Sequence, residues 1–164
     1  MSAKLEMTGI NEIVMFSLDE PIYALPLASV VRVIRAVEIT PLPKTPEIVM
    51  GVINMQGEVI PVIDIRRRFG LSAHEIRLED RLIIAATARR LVALVVDSVE
   101  GVRKLENRVL AITKENLPVA EYIEGVVNLE QGLFMILDLD RFLSLDEEKI
   151  LDSAITKSKR GSDE

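Results

Sequence analysis

The residues of this sequence best suited to chemistry are four aspartates that adjoin apolar runs. They are Asp64, Asp97, Asp138 and Asp140, and the last two share one face if the strand before them continues that far. Paired carboxylates could act as general acid and base. However, Asp64 and Asp138 end two similar segments, where an aspartate is more simply explained as accepting hydrogen bonds from the free amides of a short helix. We therefore expect caps and not a catalytic pair.

Other reaction centres lack their essential residue types. The chain has no cysteine, which excludes thiol chemistry, disulfide bonds and cysteine-based zinc sites and is typical of an intracellular protein. The single histidine, His74, lies in a polar stretch typical of a connecting loop, so we expect a solvated ring. The glycine pairs Gly51 and Gly57, or Gly125 and Gly132, are too widely spaced for a nucleotide-binding loop. The sequence predicts no catalytic residue, no cofactor and no metal site.

Charge and hydropathy also limit the kinds of partner. The net charge is −6, and the only basic clusters, residues 66–68 and 89–90, are not interleaved with aromatic side chains, so we expect no nucleic-acid binding. The longest apolar runs are far shorter than the roughly 20 residues of a membrane-spanning helix. The first residues lack the layout of a secretory signal. We expect a cytoplasmic protein with no direct membrane insertion.

An internal repeat carries the candidate residues. Residues 51–65 recur as residues 125–139, with glycine, asparagine and aspartate in register. Each copy is typical of a strand, a turn around a glycine, a second strand and a final aspartate. The repeat predicts one body of two similar β-units at residues 11–145, with halves at about 11–75 and 80–143, after a tail at 1–10. It leaves open whether the halves exchange strands.

Short strands are predicted along most of the chain. Residues 13–18 and 22–27 are typical of a hairpin, and the prolines of residues 40–46 predict a rigid connector. Pro61 cannot donate to a strand ladder, which favours an edge or a bulge at that position. Further predicted elements are strands at 82–87, 91–97 and 101–105 and a helical turn at 113–117.

The last part of the chain, residues 146–164, predicts a helix followed by a tail. Ser144 and Glu147 have the spacing of a capping box. An apolar stripe that should lie against the β-units is formed by Ile150, Leu151, Ala154 and Ile155. Residues 157–164 are polar without apolar periodicity, so we expect disorder there.

Several segments together resemble the CheW family of chemotaxis coupling proteins. The longest is GVINMQGEVIPVIDIRRRFG at residues 51–70, and the others are residues 16–18, 23–27, 30–34, 42–46, 96–102 and 123–126. The resemblance spans residues 13–143. It implies a mainly β fold of two packed five-stranded SH3-like barrels, with short helices and a C-terminal helix. It also implies a non-enzymatic adaptor between the cytoplasmic tip of a methyl-accepting chemoreceptor and the regulatory domain of a CheA-type histidine kinase, held at the inner face of the membrane by receptor arrays.

The resemblance also implies two sets of contact residues. The receptor-binding set is Val30, Arg32, Ile34, Asn54, Gln56, Val99 and Val102, and the kinase-binding set is Gly51, Met55, Gly57 and Glu58. Each has a structural alternative: the aliphatic residues can belong to a core, the glycines can serve backbone geometry, and Asn54 and Asn128 can bond to adjacent turns.

Two positions depart from the family pattern. Arg32 stands where the family commonly has an acidic residue, and Gln56 stands where it commonly has arginine. The departures reflect either drift on a tolerant surface or a changed partner, because a reversed charge can turn attraction into repulsion. Our hypothesis is a coupler that serves a dedicated, non-standard receptor or kinase.

Two other functions remain open. One is a coupling protein of a non-flagellar pathway for surface motility, development or a second messenger. The other is a carrier or enzyme that holds a small molecule between the barrels. The single histidine, the absent cysteine and the aromatic content of 4% weigh against it.

Overall fold

The computed structural model describes residues 12–19, 22–72, 75–105, 109–110, 120–129 and 132–162. Its strands are β1 (Glu12–Ser17), β2 (Ile22–Pro26), β3 (Val30–Arg35), β4 (Val49–Met55), β5 (Glu58–Ile63), β6 (Arg81–Ala86), β7 (Leu91–Val96), β8 (Ser98–Lys104), β9 (Val109–Leu110), β10 (Ile123–Leu129) and β11 (Gly132–Leu137). The helices are α1 (Ile65–Phe69) and α2 (Leu145–Ser162), and short 3₁₀ turns cover Leu27–Ser29, Ala120–Tyr122 and Leu139–Arg141. The predicted mainly β fold is confirmed.

The strands form two sheets, each of which makes one barrel. The central barrel has the strand order β3-β6-β7-β5-β4, and the terminal barrel, built from both ends of the chain, has the order β8-β1-β2-β11-β10-β9. The orders correspond strand by strand, because β5 pairs in parallel with β7 as β11 pairs with β2. After β3, the connecting segment pairs with β4 at a single bridge between Thr40 and Val52. In the terminal barrel, the short β9 pairs with β10 at the corresponding position. The predicted pair of packed barrels is confirmed, with β9 as an additional short strand.

The N-terminal hairpin belongs to the barrel formed by the second half of the chain. β1 pairs with β8, with Val14 opposite Val102, and β2 pairs with β11, with Ala24 opposite Ile136. The central barrel takes all its strands from residues 30–96. The repeat halves at 11–75 and 80–143 therefore exchange strands, which the sequence had left open.

Among the described residues, alternating side chains build three apolar cores. In β6, Leu82 and Ile84 lie inside the central barrel, whereas Ile83 joins a cluster shared by both barrels. The shared cluster takes large side chains from β1, β7 and α2, among them Phe16, Leu94 and Leu151. The interior of the terminal barrel is formed by Ile13, Met15, Ala24, Leu105, Val127, Phe134 and Ile136. Because each large aliphatic side chain contributes about 1.5–3 kcal/mol when buried, the shared cluster joins the two barrels into one body.

The structure corrects the placement of Pro61. Its strand, β5, lies between β4 and β7, so Pro61 is on an inner strand and not at an edge of the sheet. Pro61 lies opposite Val52 in regular register. The backbone N–H and C=O of Val52 both bond to Thr40, so Val52 and Pro61 exchange no hydrogen bonds. The pairing of β5 with β7 begins only at Val62. The missing N–H of Pro61 therefore costs no ladder bond.

Both predicted aspartate caps are present. Asp64 precedes α1 and accepts a hydrogen bond from the Arg67 N–H at 3.3 Å, and Gly70 ends the helix in the left-handed conformation. Asp138 precedes the 3₁₀ turn and accepts from the Asp140 N–H at 3.2 Å. The capping interpretation of Asp64 and Asp138 is confirmed.

The C-terminal helix begins as predicted and ends later than predicted. Ser144 Oγ accepts from the Glu147 N–H at 3.1 Å, and Glu147 Oε1 accepts from the Ser144 N–H at 2.9 Å, which completes the capping box. Leu151 and Ala154 are buried, but Ile150 is 46% exposed and lies off the packed face. Helix α2 continues to Ser162, past the start of the polar tail predicted from residue 157; the lysines and arginine of this segment are good helix formers.

Some predictions concern residues that the structure does not describe. His74 and the helical turn predicted at 113–117 lie outside the described ranges, as does the side chain of Asn128. Among the helices of the described ranges, none is long and apolar enough to cross a bilayer.

Candidate functional site

The predicted receptor-binding residues of β3 lie on an edge strand. Val30 is half-buried on the shared cluster, and Ile34 is half-buried against the interior of the central barrel. Arg32 is exposed. A register shift between Val30 and Arg32 marks a bulge at Val31, which interrupts the alternation of inward and outward side chains.

The bulge exposes two valines that the sequence analysis did not include in the set. Val31 is 53% exposed and Val33 is 40% exposed, on either side of the exposed Arg32. Strict alternation would have placed the valines and Arg32 on opposite faces. The bulge has no clear sequence signal, which is why the valines were missed.

The predicted residues of β8 occupy corresponding positions in the terminal barrel. Val99 packs half-buried on the shared cluster, as Val30 does, and Val102 is 51% exposed. β8 is an edge strand of its sheet, as β3 is of the other. The two strands therefore both start at the shared cluster and both present an exposed valine.

The remaining predicted residues lie at the β4–β5 turn, apart from β3 in the sheet order. Gln56 and Gly57 both have positive φ, at 53° and 85°, which is the geometry of a tight two-residue hairpin turn. Asn54 Oδ1 accepts a hydrogen bond from the Gly57 N–H at 3.0 Å. The turn alternative for Asn54 is confirmed. Glu58 is exposed at the start of β5, whereas Met55 packs half-buried against the barrel interior.

Gly51 has a structural reason for being glycine. It is buried, and a Cβ placed there would lie 2.4 Å from the Thr40 carbonyl oxygen. This close approach is part of the bridge that closes the central barrel. Gly51 therefore positions the hairpin and offers no exposed surface of its own.

An arginine network, which sequence reasoning missed, connects the two barrels. Arg66 of α1 is buried and forms an ion pair with Asp97, which follows β7, and a longer one with Asp19 at 3.4 Å. Burial would lower the pKa of Arg66, but the hydrogen bonds and charges of Asp97 and Asp19 outweigh it and raise the pKa. Asp97 thus serves as the partner of a buried cation.

A second set of arginines holds helix α2. Arg68 Nη2 donates to both oxygens of Glu147 at 2.8 Å, and its guanidinium lies over the ring of Tyr122 at 5.4 Å. Arg90 forms ion pairs with Glu148, at 2.9 Å, and with Asp152. The basic clusters at 66–68 and 89–90 are thereby occupied within the protein. Acidic residues in the first turn of α2 were the available signal for this pairing.

The carboxylates of Asp138 and Asp140, at the third 3₁₀ turn, accept hydrogen bonds from backbone donors. Asp140 Oδ1 accepts from the Ala88 N–H at 2.7 Å. Burial and then the charges of Asp138 and Asp140 raise the pKa of Glu124. Among the described residues, no group of three or more His, Asp or Glu side chains is arranged to hold a metal ion.

An open cavity of about 430 Å³ lies between the connector, α1 and α2. Its lining is formed by Pro46, Glu47, Ile48, Arg67, Arg68, Tyr122, Glu147 and Ile150. Two of these residues, Arg68 and Glu147, already bind each other. The small-molecule alternative stays a prediction.

Comparisons with known proteins agree with this geometry. The family model of the CheW-like domain matches residues 12–147. The chain is 31% identical to the chemotaxis protein CheW of Thermotoga maritima over 80% of this chain and 87% of that protein, and 34% identical to protein FrzA of Myxococcus xanthus over 76% and 79%. The crystal structure of the scaffolding protein TtCheW from Thermoanaerobacter tengcongensis has a TM-score of 0.72 and 29% identity, and the match covers 84% of this chain and 94% of that one.

Two barrels that exchange strands and present exposed edge strands define a scaffold for protein contacts. The chain belongs to the CheW-like family. It is an adaptor of chemotaxis-type signal transduction.

Proposed function

We propose that this adaptor couples the cytoplasmic tip of a methyl-accepting chemoreceptor to the regulatory domain of a CheA-type histidine kinase. The observation that carries the receptor contact is the exposed apolar surface of the edge strands, where Val31, Val33 and Val102 are 40–53% exposed. Burying exposed aliphatic side chains under a partner is favourable in free energy. The adaptor carries out no chemistry itself and works in the cytoplasm, at receptor arrays on the inner face of the membrane.

The kinase contact is proposed at the β4–β5 turn. The positive φ angles of Gln56 and Gly57 fix the turn, and the Asn54 side chain bonds across it. A turn fixed in this way loses little conformational entropy on binding. The exposed Glu58 is the side chain of the kinase-binding set that would touch the kinase, and the exposed Gln56 stays in the predicted receptor-binding set.

Receptor binding is tested with the valines. Val102→Asp and Val33→Asp place a charge in the proposed contact, and we expect both to weaken binding to a receptor-tip fragment in isothermal titration calorimetry. Leu78→Asp is the matched control, because Leu78 is 91% exposed in the loop before β6. Equal affinity of all three variants would contradict the receptor surface.

Kinase binding is tested separately at the turn. Glu58→Lys should weaken binding to the purified kinase regulatory domain and leave receptor binding unchanged. Glu79→Lys, the same charge change at another exposed position, is the control. Loss of receptor binding in Glu58→Lys, with kinase binding intact, would show that the two surfaces are assigned the wrong way round.

A second candidate function is coupling in a non-flagellar pathway. The similarity to FrzA, which at 34% identity is comparable with the similarity to the chemotaxis proteins, favours keeping it. Deleting the gene distinguishes the two functions. Loss of directed swimming supports the flagellar pathway, whereas intact swimming with altered spreading on surfaces supports the alternative.

A further inference from the structure

The three arginines of α1 differ in how fully their charge is taken up by the protein. Arg66 and Arg68 form ion pairs with carboxylates at hydrogen-bond distance. The Arg67 side chain is 53% exposed, and the Glu47 carboxylate that lies near it is 3.9 Å away, beyond hydrogen-bond distance. Within the described part of the chain, the Arg67 guanidinium donates no hydrogen bond. Its donors are therefore available to a ligand.

Arg67 lines the open cavity of about 430 Å³ between the connector, α1 and α2. This volume falls within the range of roughly 300–1,000 Å³ that is typical of small-molecule sites. The apolar part of the lining is formed by Pro46, Ile48 and Ile150 and by the ring of Tyr122. Apolar walls with a few polar groups that fix orientation are the usual composition of a ligand site. None of the described lining residues belongs to the predicted receptor-binding or kinase-binding set.

A second donor in the lining is the Tyr122 hydroxyl group. It accepts a hydrogen bond from Arg68 Nη1 at 3.4 Å, and its own proton has no acceptor among the described residues. The ring is held in place by the Arg68 guanidinium above it and by Phe69 and Phe142, whose ring centroids lie 6.2 and 5.6 Å from its own. The hydroxyl is therefore positioned in advance and can donate to an anion.

The charges of the lining favour a ligand with a single negative charge. Arg68 and Glu147 bind each other at 2.8 Å, which leaves Arg67 as the cation open to a ligand. A dianion such as phosphate would also lie close to the charges of Glu47 and Glu147. A single carboxylate can instead take the place of Glu47, whose side chain is 90% exposed and can turn to solvent. The planar guanidinium fork also matches the geometry of a carboxylate.

We propose that this cavity binds a small organic acid that has one carboxylate and an apolar body. The carboxylate replaces Glu47 on the Arg67 guanidinium and accepts from the Tyr122 hydroxyl, while the body packs on the aliphatic wall of the cavity. The connector and α1 adjoin strands of the central barrel, whereas Tyr122 directly precedes β10 of the terminal barrel. A bound acid therefore contacts both barrels.

The test titrates the full chain with phenylacetate, benzoate, isovalerate and hexanoate and follows the backbone amide signals by NMR. We expect saturable shifts at Ile48, Arg67 and Ile150, with a Kd in the millimolar range or below. Phenylacetamide, which has the same apolar body without the charge, and inorganic phosphate should not produce these shifts.

Two substitutions change the charge at the anchoring point in opposite directions. Arg67→Gln removes the cation and should raise the Kd by about tenfold, whereas Glu47→Gln removes the competing carboxylate and should lower it by about twofold. Arg89→Gln is the matched control, because the Arg89 side chain is 51% exposed and has a similarly loose ion pair, at 3.7 Å, outside the cavity. Because Arg67 is exposed and loosely paired, Arg67→Gln should leave the melting temperature of the free protein unchanged.

The apolar wall is tested on α2. Ile150→Asn should raise the Kd for hexanoate by about threefold, because it removes aliphatic surface that the ligand covers. Leu145→Asn makes a comparable change on the same helix, at a side chain that is 64% exposed and does not line the cavity, and should leave the Kd unchanged.

Several results would overturn the proposal. They are the absence of saturable shifts with every acid of the series, equal affinity of the wild type and Arg67→Gln, and equal binding of phenylacetamide and phenylacetate. If an acetylated tripeptide with a free C-terminal carboxylate binds and none of the small acids does, the cavity is a peptide site and the proposal is wrong. The receptor and kinase contacts are unaffected by these outcomes, since they are tested with Val102→Asp and Glu58→Lys.

Discussion

The two barrels share a backbone plan and differ in the charges placed on it. The hairpins β4–β5 and β10–β11 have the same register, and each has an irregularity at its glycine, Gly51 or Gly125. Each hairpin ends at an aspartate that caps a short helical segment. After the cap, the central barrel continues with three arginines, whereas the terminal barrel continues with Asp140 and Arg141 and leads into the acidic first turn of α2.

The difference shows how a repeated unit can become a single body. The hairpin register and the aspartate caps set the path of the backbone, and both copies keep them. Charged side chains do not set this path, and in the two copies they have become complementary: Arg68 from the central copy binds Glu147 beyond the terminal copy. The barrels are therefore joined in three ways: by the exchanged hairpin, by the shared apolar cluster and by this ion pair.

The largest expected effect compares two glycines in the two barrels. Gly51→Ala should cost about 3 kcal/mol or more, because a methyl group there meets backbone, and Gly132→Ala only about 1 kcal/mol, because strain alone remains. Both have positive φ, but only Gly51 has an atom near the added Cβ. Urea unfolding measures both. Equal losses would show that the close approach to Thr40 is not the reason for Gly51.

The next effect concerns the buried arginine. Arg66→Met should destabilise the protein by about 2 kcal/mol, because it leaves Asp97 next to an apolar side chain without its cation. Asp140 occupies the corresponding place in the terminal barrel and is exposed, so Asp140→Ala should cost about 1 kcal/mol or less. If thermal unfolding gives the reverse order, the network does not join the barrels.

The ion pair between Arg68 and Glu147 is tested by a double-mutant cycle. Arg68→Met and Glu147→Gln should show a coupling free energy of about 1 kcal/mol at neutral pH. Burial alone would raise the pKa of Glu147, but the hydrogen bonds from Ser144 and Arg68 lower it below its ordinary value of 4.5. The stabilisation is therefore present above that value and is lost as the pH falls through the lowered pKa. Coupling that does not change on acidification would contradict the pairing.

The smallest effect is expected when a residue of the terminal barrel is replaced by its counterpart in the central barrel. Met50 stands where the terminal barrel has Glu124, whose pKa is raised by partial desolvation of its side chain and then by the charges of Asp138 and Asp140. A raised pKa means that ionised Glu124 destabilises the fold at neutral pH, so Glu124→Met should stabilise it by a few tenths of a kcal/mol, given the exposure of the side chain. The gain should disappear as the pH falls through the raised pKa. Destabilisation at pH 7 would show that Glu124 has a favourable partner.

The sequence predicted what depends on local signals and not what depends on pairing over long distances. The repeat, the hairpins and the caps at Asp64, Asp138 and Ser144 follow from residues that are close in the chain. The exchange of β1 and β2, the inner position of Pro61 and the partners of Arg66 and Arg68 depend on contacts between distant residues. For the candidate site, the family resemblance indicated the strands, but the exposure of Val31 and Val33 follows from a bulge that only coordinates show.

The central claim is that the chain binds receptor and kinase at the same time through separate surfaces. Sedimentation velocity of the chain mixed with a receptor-tip fragment and the kinase regulatory domain tests this directly. The account predicts one faster-sedimenting species that contains all three proteins. The Val102→Asp variant should form only the complex with the kinase domain, and the Glu58→Lys variant should form only the complex with the receptor fragment. Complexes with either partner but never with both would contradict the account.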